Sequence, residues 1–246
     1  VANNRVYDGG LVATINANNV FLAGLISGDV VTASATGTFA DKNVGTAKTV
    51  TLTSTNGGAD LGNYTITNQA TTTANITTKD LTVSGLVANS RVYDGDIVAT
   101  INTSNPLFTG LVSGDVLTVS ATGAFDNKNV GTGKTVTLTS DYAGADRNNY
   151  NITDQATSTA NITPKALTVS GITVANKTYD NTTSSTPSVT AGQSIAALVS
   201  GGLISGDDVT ITTTIGVFSD ENVGTGKTVT LSSTYGGASL GNYSIT

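Results

Sequence analysis

Asn129-Val130-Gly131-Thr132-Gly133-Lys134-Thr135-Val136-Thr137-Leu138 decides how this chain is read, because it occurs three times. Asn43 to Leu52 is NVGTAKTVTL, and Asn222 to Leu231 is NVGTGKTVTL. Gly45 and Gly131 are 86 residues apart, and Gly131 and Gly224 are 93. Self-similarity at that spacing marks a tandem array, and each copy is expected to be one folded unit. Within the stretch, Val136 and Leu138 alternate with Thr135 and Thr137. Side chains alternate faces along a strand, so one face is apolar and the other is threonine. β-Branched residues suit such a half-buried pleat. Gly131 and Gly133 mark a turn or a close backbone approach. The stretch therefore reads as a loop entering a half-buried antiparallel strand.

Gly133-Lys134-Thr135 also resembles the end of a phosphate-binding loop. That motif needs a glycine five positions before the Gly-Lys pair and a helix after it. Lys128 and Glu221 stand at the first position, Ala47 replaces the second glycine in the first copy, and a strand follows. Nucleotide binding is set aside on those grounds.

Composition narrows the chemistry. The 246 residues include 5 Phe, 8 Tyr and no Trp or Met, so Val, Ile, Leu and Ala must fill the cores. A unit of about 86 residues can bury a modest core alone. Net charge is −6, with only 11 Lys and Arg, and no basic patch for nucleic acid stands out. No apolar run is long enough to span a bilayer as a helix. The chain has no Cys, which excludes disulfides, thiolate metal sites and cysteine nucleophiles. It has no His, the commonest general base and transition-metal ligand. No catalytic, cofactor-binding or metal residues are assigned, and no enzyme is expected.

Landmarks recur in order along the chain. The first copy opens with VANNRVYDGG, where Asp8-Gly9 is a hairpin-turn dipeptide leading to a strand over Leu11 to Ile15. Ser27-Gly28-Asp29 precedes a strand with Val31, Ala33 and Ala35 inward, then Phe39. Asn63 to Ile66 is predicted to be a further strand, and Ala74 and Ile76 belong to the last. Tyr93-Asp94-Gly95, Ser113-Gly114-Asp115, Phe125 and Asn149-Tyr150 repeat the set. The third copy has Tyr179-Asp180-Asn181, where Asn still tolerates left-handed backbone. It carries an insertion at 182–204, and Ile195, Leu198 and Val199 have the spacing of one helical turn. Short alternating strands separated by turn signals point to all-β sandwiches. The boundaries are placed at 1–77, 78–163 and 164–246. The first copy lacks the Lys-x-Leu-Thr-Val strand that opens the others, and the third stops before its Ala-x-Ile strand, so both ends look cut from a longer series. Ala74 to Val83 and Ala160 to Val169 run from one copy into the next with no Gly/Ser linker, which predicts a stiff, extended array.

Tyr-Asp-Gly, Ser-Gly-Asp, Asn-Val-Gly-Thr-Gly-Lys-Thr-Val-Thr, Asn-Tyr-x-Ile-Thr and Ala-x-Ile-Thr-Pro-Lys together resemble the YDG repeat. That repeat occurs with similar MBG repeats in large bacterial surface adhesins of the filamentous-haemagglutinin type. The resemblance covers all three copies. It implies three tandem immunoglobulin-like antiparallel β-sandwich domains, extracellular and on the bacterial surface, forming a stalk that projects adhesive domains in cell adhesion or biofilm formation. The alternative is a repeat that itself binds glycan, matrix polysaccharide or a neighbouring adhesin. Expected partners are the neighbouring repeats of the same chain, with surface glycan or polysaccharide as the alternative; no nucleic acid, membrane or cofactor is expected, and the chain is expected to be a monomer.

Three recurring sets could carry chemistry. Lys48, Lys134 and Lys227 each sit two residues before an inward valine, so parity aims them at the core face. Such a lysine either forms an isopeptide bond, with Asp8/Asp94/Asp180 or Asp41/Asp126/Asp220 as partners, or snorkels from the strand end to water, which is the expectation. Asp29, Asp41 and their copies are candidates for calcium, but turn and capping roles are expected. Tyr7/Tyr93/Tyr179 and Tyr64/Tyr150/Tyr243 could stack on sugar, and are expected to pack in the core. Asn-x-Ser/Thr triplets such as Asn161-Ile162-Thr163 are frequent in a chain this rich in Asn and Thr.

Overall fold

The computed structural model describes residues 1–17 and 20–246. Among the described residues the chain is all-β, with three single-turn 3-10 helices and no α-helix. The alternation read from Lys134 to Leu138 is realised: Val136 is fully buried, Leu138 is buried, and Thr135 and Thr137 are exposed. The strands containing this stretch and its first copy are the longest in the chain, Gly45–Gly57 and Gly131–Ala143. Alternating Thr keeps such a strand soluble on one face while Val and Leu bury the other.

Contacts gather the chain into two units that cut across the sequence copies. The first comprises Val1–Leu86, Thr103–Ala121 and Thr139–Ala156. Its larger sheet has the order Arg5–Val6, Thr71–Thr77, Gly45–Gly57, Thr32–Phe39, Val12–Ala13. All pairings are antiparallel except the first, in which Arg5 lies opposite Ile76 in parallel. The smaller sheet has Lys79–Ser84 at its centre, antiparallel to Leu107–Thr109 and parallel to Tyr150–Thr153. One core joins the two sheets: Tyr7, Phe39, Val50, Ala74 and Ile76 from the first copy meet Leu81, Leu117 and Tyr150 from the second. The sandwich is thus assembled from two successive copies. A single copy does not close around its own core.

The second unit comprises Val87–Asn102, Thr122–Leu138 and Thr157–Thr246. It holds a five-stranded sheet ordered Arg91–Val92, Thr157–Thr163, Gly131–Ala143, Thr118–Phe125, Val98–Ala99. It also holds Lys165–Val169 between Val199–Ser200 and Tyr243–Ile245. Thr210–Phe218 lies between Ser184–Ser185 and Val229–Gly236 in a third sheet.

Three local expectations are corrected. Asp8-Gly9 does not close a hairpin: Arg5–Val6 and Val12–Ala13 lie at opposite edges of one sheet. Arg5 organises the loop instead. Its guanidinium pairs with Asp8, donates to the carbonyl of Val12 at 2.9 Å and to that of Gly10, and lies 4.8 Å over Phe39. Asn63 to Ile66 is not a strand, although its equivalents Tyr150–Thr153 and Tyr243–Ile245 are. Those two pair with Lys79–Ser84 and Lys165–Val169, and among the described residues no strand lies alongside residues 63–66. Ile195 to Leu198 forms a hydrogen-bonded turn rather than helix, and Ile195 is fully buried.

Pairing shifts register near the start of both long strands, between Gly45 and Lys48 and between Gly131 and Lys134, and each shift holds one left-handed residue, Ala47 at φ 49° and Gly133 at φ 59°; Gly226, their equivalent in the third copy, has φ 65°. The amide of Ala47 is held there by Asn75 Oδ1 at 2.8 Å. A Cβ in this region costs roughly 1–2 kcal/mol, offset in part by the entropy glycine adds to the unfolded chain. Ala47→Gly is therefore expected to stabilise the chain by about 0.5–1 kcal/mol, read as a higher denaturation midpoint in urea at unchanged slope.

Candidate functional site

The most organised polar cluster in each unit lies where two copies meet. In the first unit, the Asp115 carboxylate accepts hydrogen bonds from the hydroxyls of Tyr7 at 2.7 Å and Tyr150 at 2.6 Å, and pairs with Lys42 Nζ at 2.8 Å. Its side chain is only 2% exposed. Lys42 also reaches Asp146 at 2.9 Å. The Tyr7 and Tyr150 rings meet edge to face, centroids 5.6 Å apart, a favoured aromatic geometry. The Val44 amide donates to Asn149 Oδ1 at 3.0 Å, and Asn149 Nδ2 donates to Asn43 Oδ1 at 3.2 Å. Tyr7, Lys42, Asn43 and Val44 come from one copy; Asp115, Asp146, Asn149 and Tyr150 come from the next.

The second unit reproduces the arrangement with Tyr93, Tyr243 and Lys128 around Asp207, at 2.8, 2.6 and 3.3 Å. The rings of Tyr93 and Tyr243 are 5.5 Å apart and near perpendicular. Asn242 Oδ1 accepts from the Val130 amide at 2.9 Å. Ser239 stands where the first unit has Asp146, so Lys128 pairs with one carboxylate and Lys42 with two.

Each letter of the Tyr-Asp-Gly signature has a task in this join. The tyrosine fills it: Tyr7 and Tyr93 are each 1% exposed. The aspartate shapes the loop behind it, with Asp8 Oδ1 accepting from the Gly10 amide at 2.8 Å. The glycine lets the neighbour close in, since a Cβ on Gly9 would lie 2.8 Å from Val112 Cγ1, and one on Gly95 2.7 Å from Ile204 Cγ2. The family description YDG domain matches residues 1–74, 77–159 and 163–246. This chain is a run of three YDG domains. No curated protein and no solved structure matches it.

The third YDG copy carries a modified version of the same face. Glu221 stands where Lys42 and Lys128 stand, and Asn181, at φ 58°, replaces the glycine. Tyr179 is 55% exposed, unlike Tyr7 and Tyr93, and its hydroxyl donates to Asn181 Oδ1 at 3.0 Å. The core role expected for these tyrosines therefore holds at Tyr7, Tyr93, Tyr150 and Tyr243, while Tyr64 is half-buried and Tyr179 is exposed.

The lysines before the inward valines do face the core side, and their ammonium groups turn to carboxylates at the strand end. Lys48 meets Asp41 at 2.6 Å, Lys134 meets Asp126 at 2.8 Å and Asn127 Oδ1 at 2.8 Å, and Lys227 meets Asp220. The neighbouring lysine holds the Asp41, Asp126 and Asp220 carboxyls below their ordinary value. Asp8, Asp94 and Asp180 pair elsewhere, with Arg5, Arg91 and Lys177. Asp29 accepts from Tyr64 at 2.6 Å. Sequence reasoning named Asn149-Tyr150 and the Ser-Gly-Asp aspartates as landmarks but missed that they and Lys42/Lys128 form one cluster. The signal was present: Lys, Asn and Val recur together at 42–44 and 128–130.

Two predictions follow from this geometry. The lysine–aspartate contacts are ion pairs, so the intact mass is expected to equal the sequence mass, with no loss of water or ammonia in mass spectrometry. The join also sets a pH profile. Burial alone would raise the Asp115 and Asp207 carboxyls, but Lys42 or Lys128 and the tyrosine hydroxyls outweigh it, and both end below their ordinary value. Their stabilisation is present above the unfolded carboxylate range and lost as pH falls through the lower folded value. Burial, then the adjacent aspartate, raises Tyr7, Tyr93, Tyr150 and Tyr243 above 10, so their contribution is intact below pH 10 and lost above the folded value. Thermal midpoints are expected to be flat between about pH 5 and 9 and to fall at both extremes. Asp115→Ala, which removes the acceptor of two tyrosine hydroxyls and leaves Lys42 with Asp146 alone, is expected to cost about 3 kcal/mol at neutral pH and to make the acid limb shallower.

Proposed function

We propose that this run of YDG domains is a structural spacer of a bacterial cell-surface or secreted adhesin, acting outside the cell to project adhesive domains in adhesion or biofilm formation. The observation that supports this reading is the shared core: Tyr7, Phe39 and Ile76 of one copy pack with Leu81, Leu117 and Tyr150 of the next. A joint made of buried side chains and backbone pairing has few free dihedrals, unlike a Gly/Ser linker. Pulling on such a chain loads the join itself, a property suited to a spacer and irrelevant to catalysis. No enzymatic role is proposed.

The hydroxyl strip of the third copy favours a second reading, a repeat that touches glycan or matrix polysaccharide. Thr234 bonds Thr212 and Thr213 at 2.6 Å each, giving a cluster of exposed hydroxyls on one sheet. The two readings separate in single-molecule pulling and in pull-down on surface polysaccharide. For the spacer, the unfolding force is expected to drop in Asp115→Ala and in Asp207→Ala, with no retention on polysaccharide. An unchanged force in both variants, or saturable retention, replaces the spacer with the binding repeat.

A further inference from the structure

Each join brings two phenols onto one oxygen atom. Tyr7 and Tyr150 both donate to Asp115 Oδ2, at 2.7 and 2.6 Å. Tyr93 and Tyr243 both donate to Asp207 Oδ2, at 2.8 and 2.6 Å. The hydroxyl ends of each pair therefore converge, and the ring carbons ortho to them converge as well. The ring planes cross at 78° and 80°, with centroids 5.6 and 5.5 Å apart. A backbone amide fixes one phenol of each pair: Val112 donates to Tyr150 Oη at 2.9 Å, and Ile204 to Tyr243 Oη at 3.0 Å. An edge-to-face pair packs well without any carboxylate, and a buried carboxylate is costly to keep. The shared oxygen is thus more than packing requires.

The arrangement suits the loss of an electron. A phenol is oxidised far more readily when its proton leaves at the same time, and a base within hydrogen-bond reach can take that proton. Burial, then the adjacent aspartate, keeps all four phenols protonated at neutral pH, so each has a proton to give up. Burial pulls Asp115 and Asp207 upward, but their lysine and tyrosine partners hold both below the ordinary value, so the acceptor is a carboxylate at neutral pH. Lys42 and Lys128 lie against these carboxylates with side chains 36% and 45% exposed, which places each join within one side chain of solvent.

We propose that each join is an oxidative crosslinking site, at which Tyr7 couples to Tyr150, and Tyr93 to Tyr243, as dityrosine. A diffusible one-electron oxidant removes one electron from each phenol, and each phenolic proton passes in turn to the shared aspartate and on to water. The two phenoxyl radicals join ortho carbon to ortho carbon, and the hydrogen displaced from each coupled carbon restores a hydroxyl. Two electrons and two protons leave, one carbon–carbon bond forms, and one molecule of peroxide or persulfate is the final acceptor of both electrons. The two tyrosines of a pair come from successive copies, so the bond makes the join covalent. Tyr64 and Tyr179 are controls within the same chain. Tyr64 donates to Asp29 at 2.6 Å and Tyr179 to Asn181, and among the described residues neither ring is paired with a second tyrosine. The proposal does not depend on the spacer reading.

The test illuminates the intact 246-residue chain with a ruthenium tris-bipyridyl photosensitiser and persulfate, at a dilution that keeps chains apart. Dityrosine fluorescence is expected, with an intact mass lower by two hydrogens per crosslink on a chain that remains a monomer. Peptide mapping is expected to link Tyr7 to Tyr150 and Tyr93 to Tyr243. Tyr7→Phe keeps the ring and is expected to abolish the first linkage while leaving the second. Illumination in denaturing urea is expected to remove both. The crosslinked chain is expected to unfold at a higher midpoint, as a tie across a long loop does. Oxidation of exposed Tyr179 without either named linkage, linkages scattered over other tyrosines, or an equal yield in urea overturns the proposal.

Discussion

Two carboxylates organise these structures. Asp115 and Asp207 are charged groups almost fully removed from water, and each is tolerable only because two tyrosine hydroxyls and a lysine surround it. Neither sequence copy contains all of those partners. The tyrosine of Tyr-Asp-Gly and the lysine come from one copy, and the aspartate and second tyrosine from the next. Burying a charge without its partners costs several kcal/mol, so the cluster forms as a whole or not at all. That condition ties each copy to its successor and explains why the cores are built across the copies.

The join also accounts for how a chain with few aromatic residues folds. Four of its eight tyrosines are buried in edge-to-face pairs, one from each side of a join. Elsewhere the interior is Val, Leu, Ile and Ala, with Phe39 and Phe125 under the guanidinium groups of Arg5 and Arg91. Large apolar area is concentrated where two copies must recognise each other, and small aliphatic side chains suffice within a sheet.

Much of the fold was legible in the sequence because strand patterning is local. The parity of Val50, Val136 and Leu138, the side of the strand that Lys48 faces, and the all-β class follow from alternation alone. What was not legible was non-local. Nothing in Arg5 to Gly10 announces that the two flanking strands go to opposite edges of a sheet, because the arginine fork that spans them acts through carbonyls rather than through a turn type. The strand at Tyr150 and its absence at Tyr64 depend on whether Lys79–Ser84 or an equivalent lies alongside. The clusters at Asp115 and Asp207 were visible as separate repeated landmarks, and periodicity cannot say that landmarks one copy apart touch.

Glu221 and Asn181 change the face of the third copy at the positions where its predecessors carry a lysine and a glycine. A polypeptide lengthened by reiterating residues 77–163 keeps a lysine against each successive aspartate and a glycine beneath each approaching valine or isoleucine. One lengthened by reiterating the third copy sets glutamate against aspartate and an asparagine side chain in the path of its neighbour. Copy number is thus free to drift while copy order is policed by charge and shape.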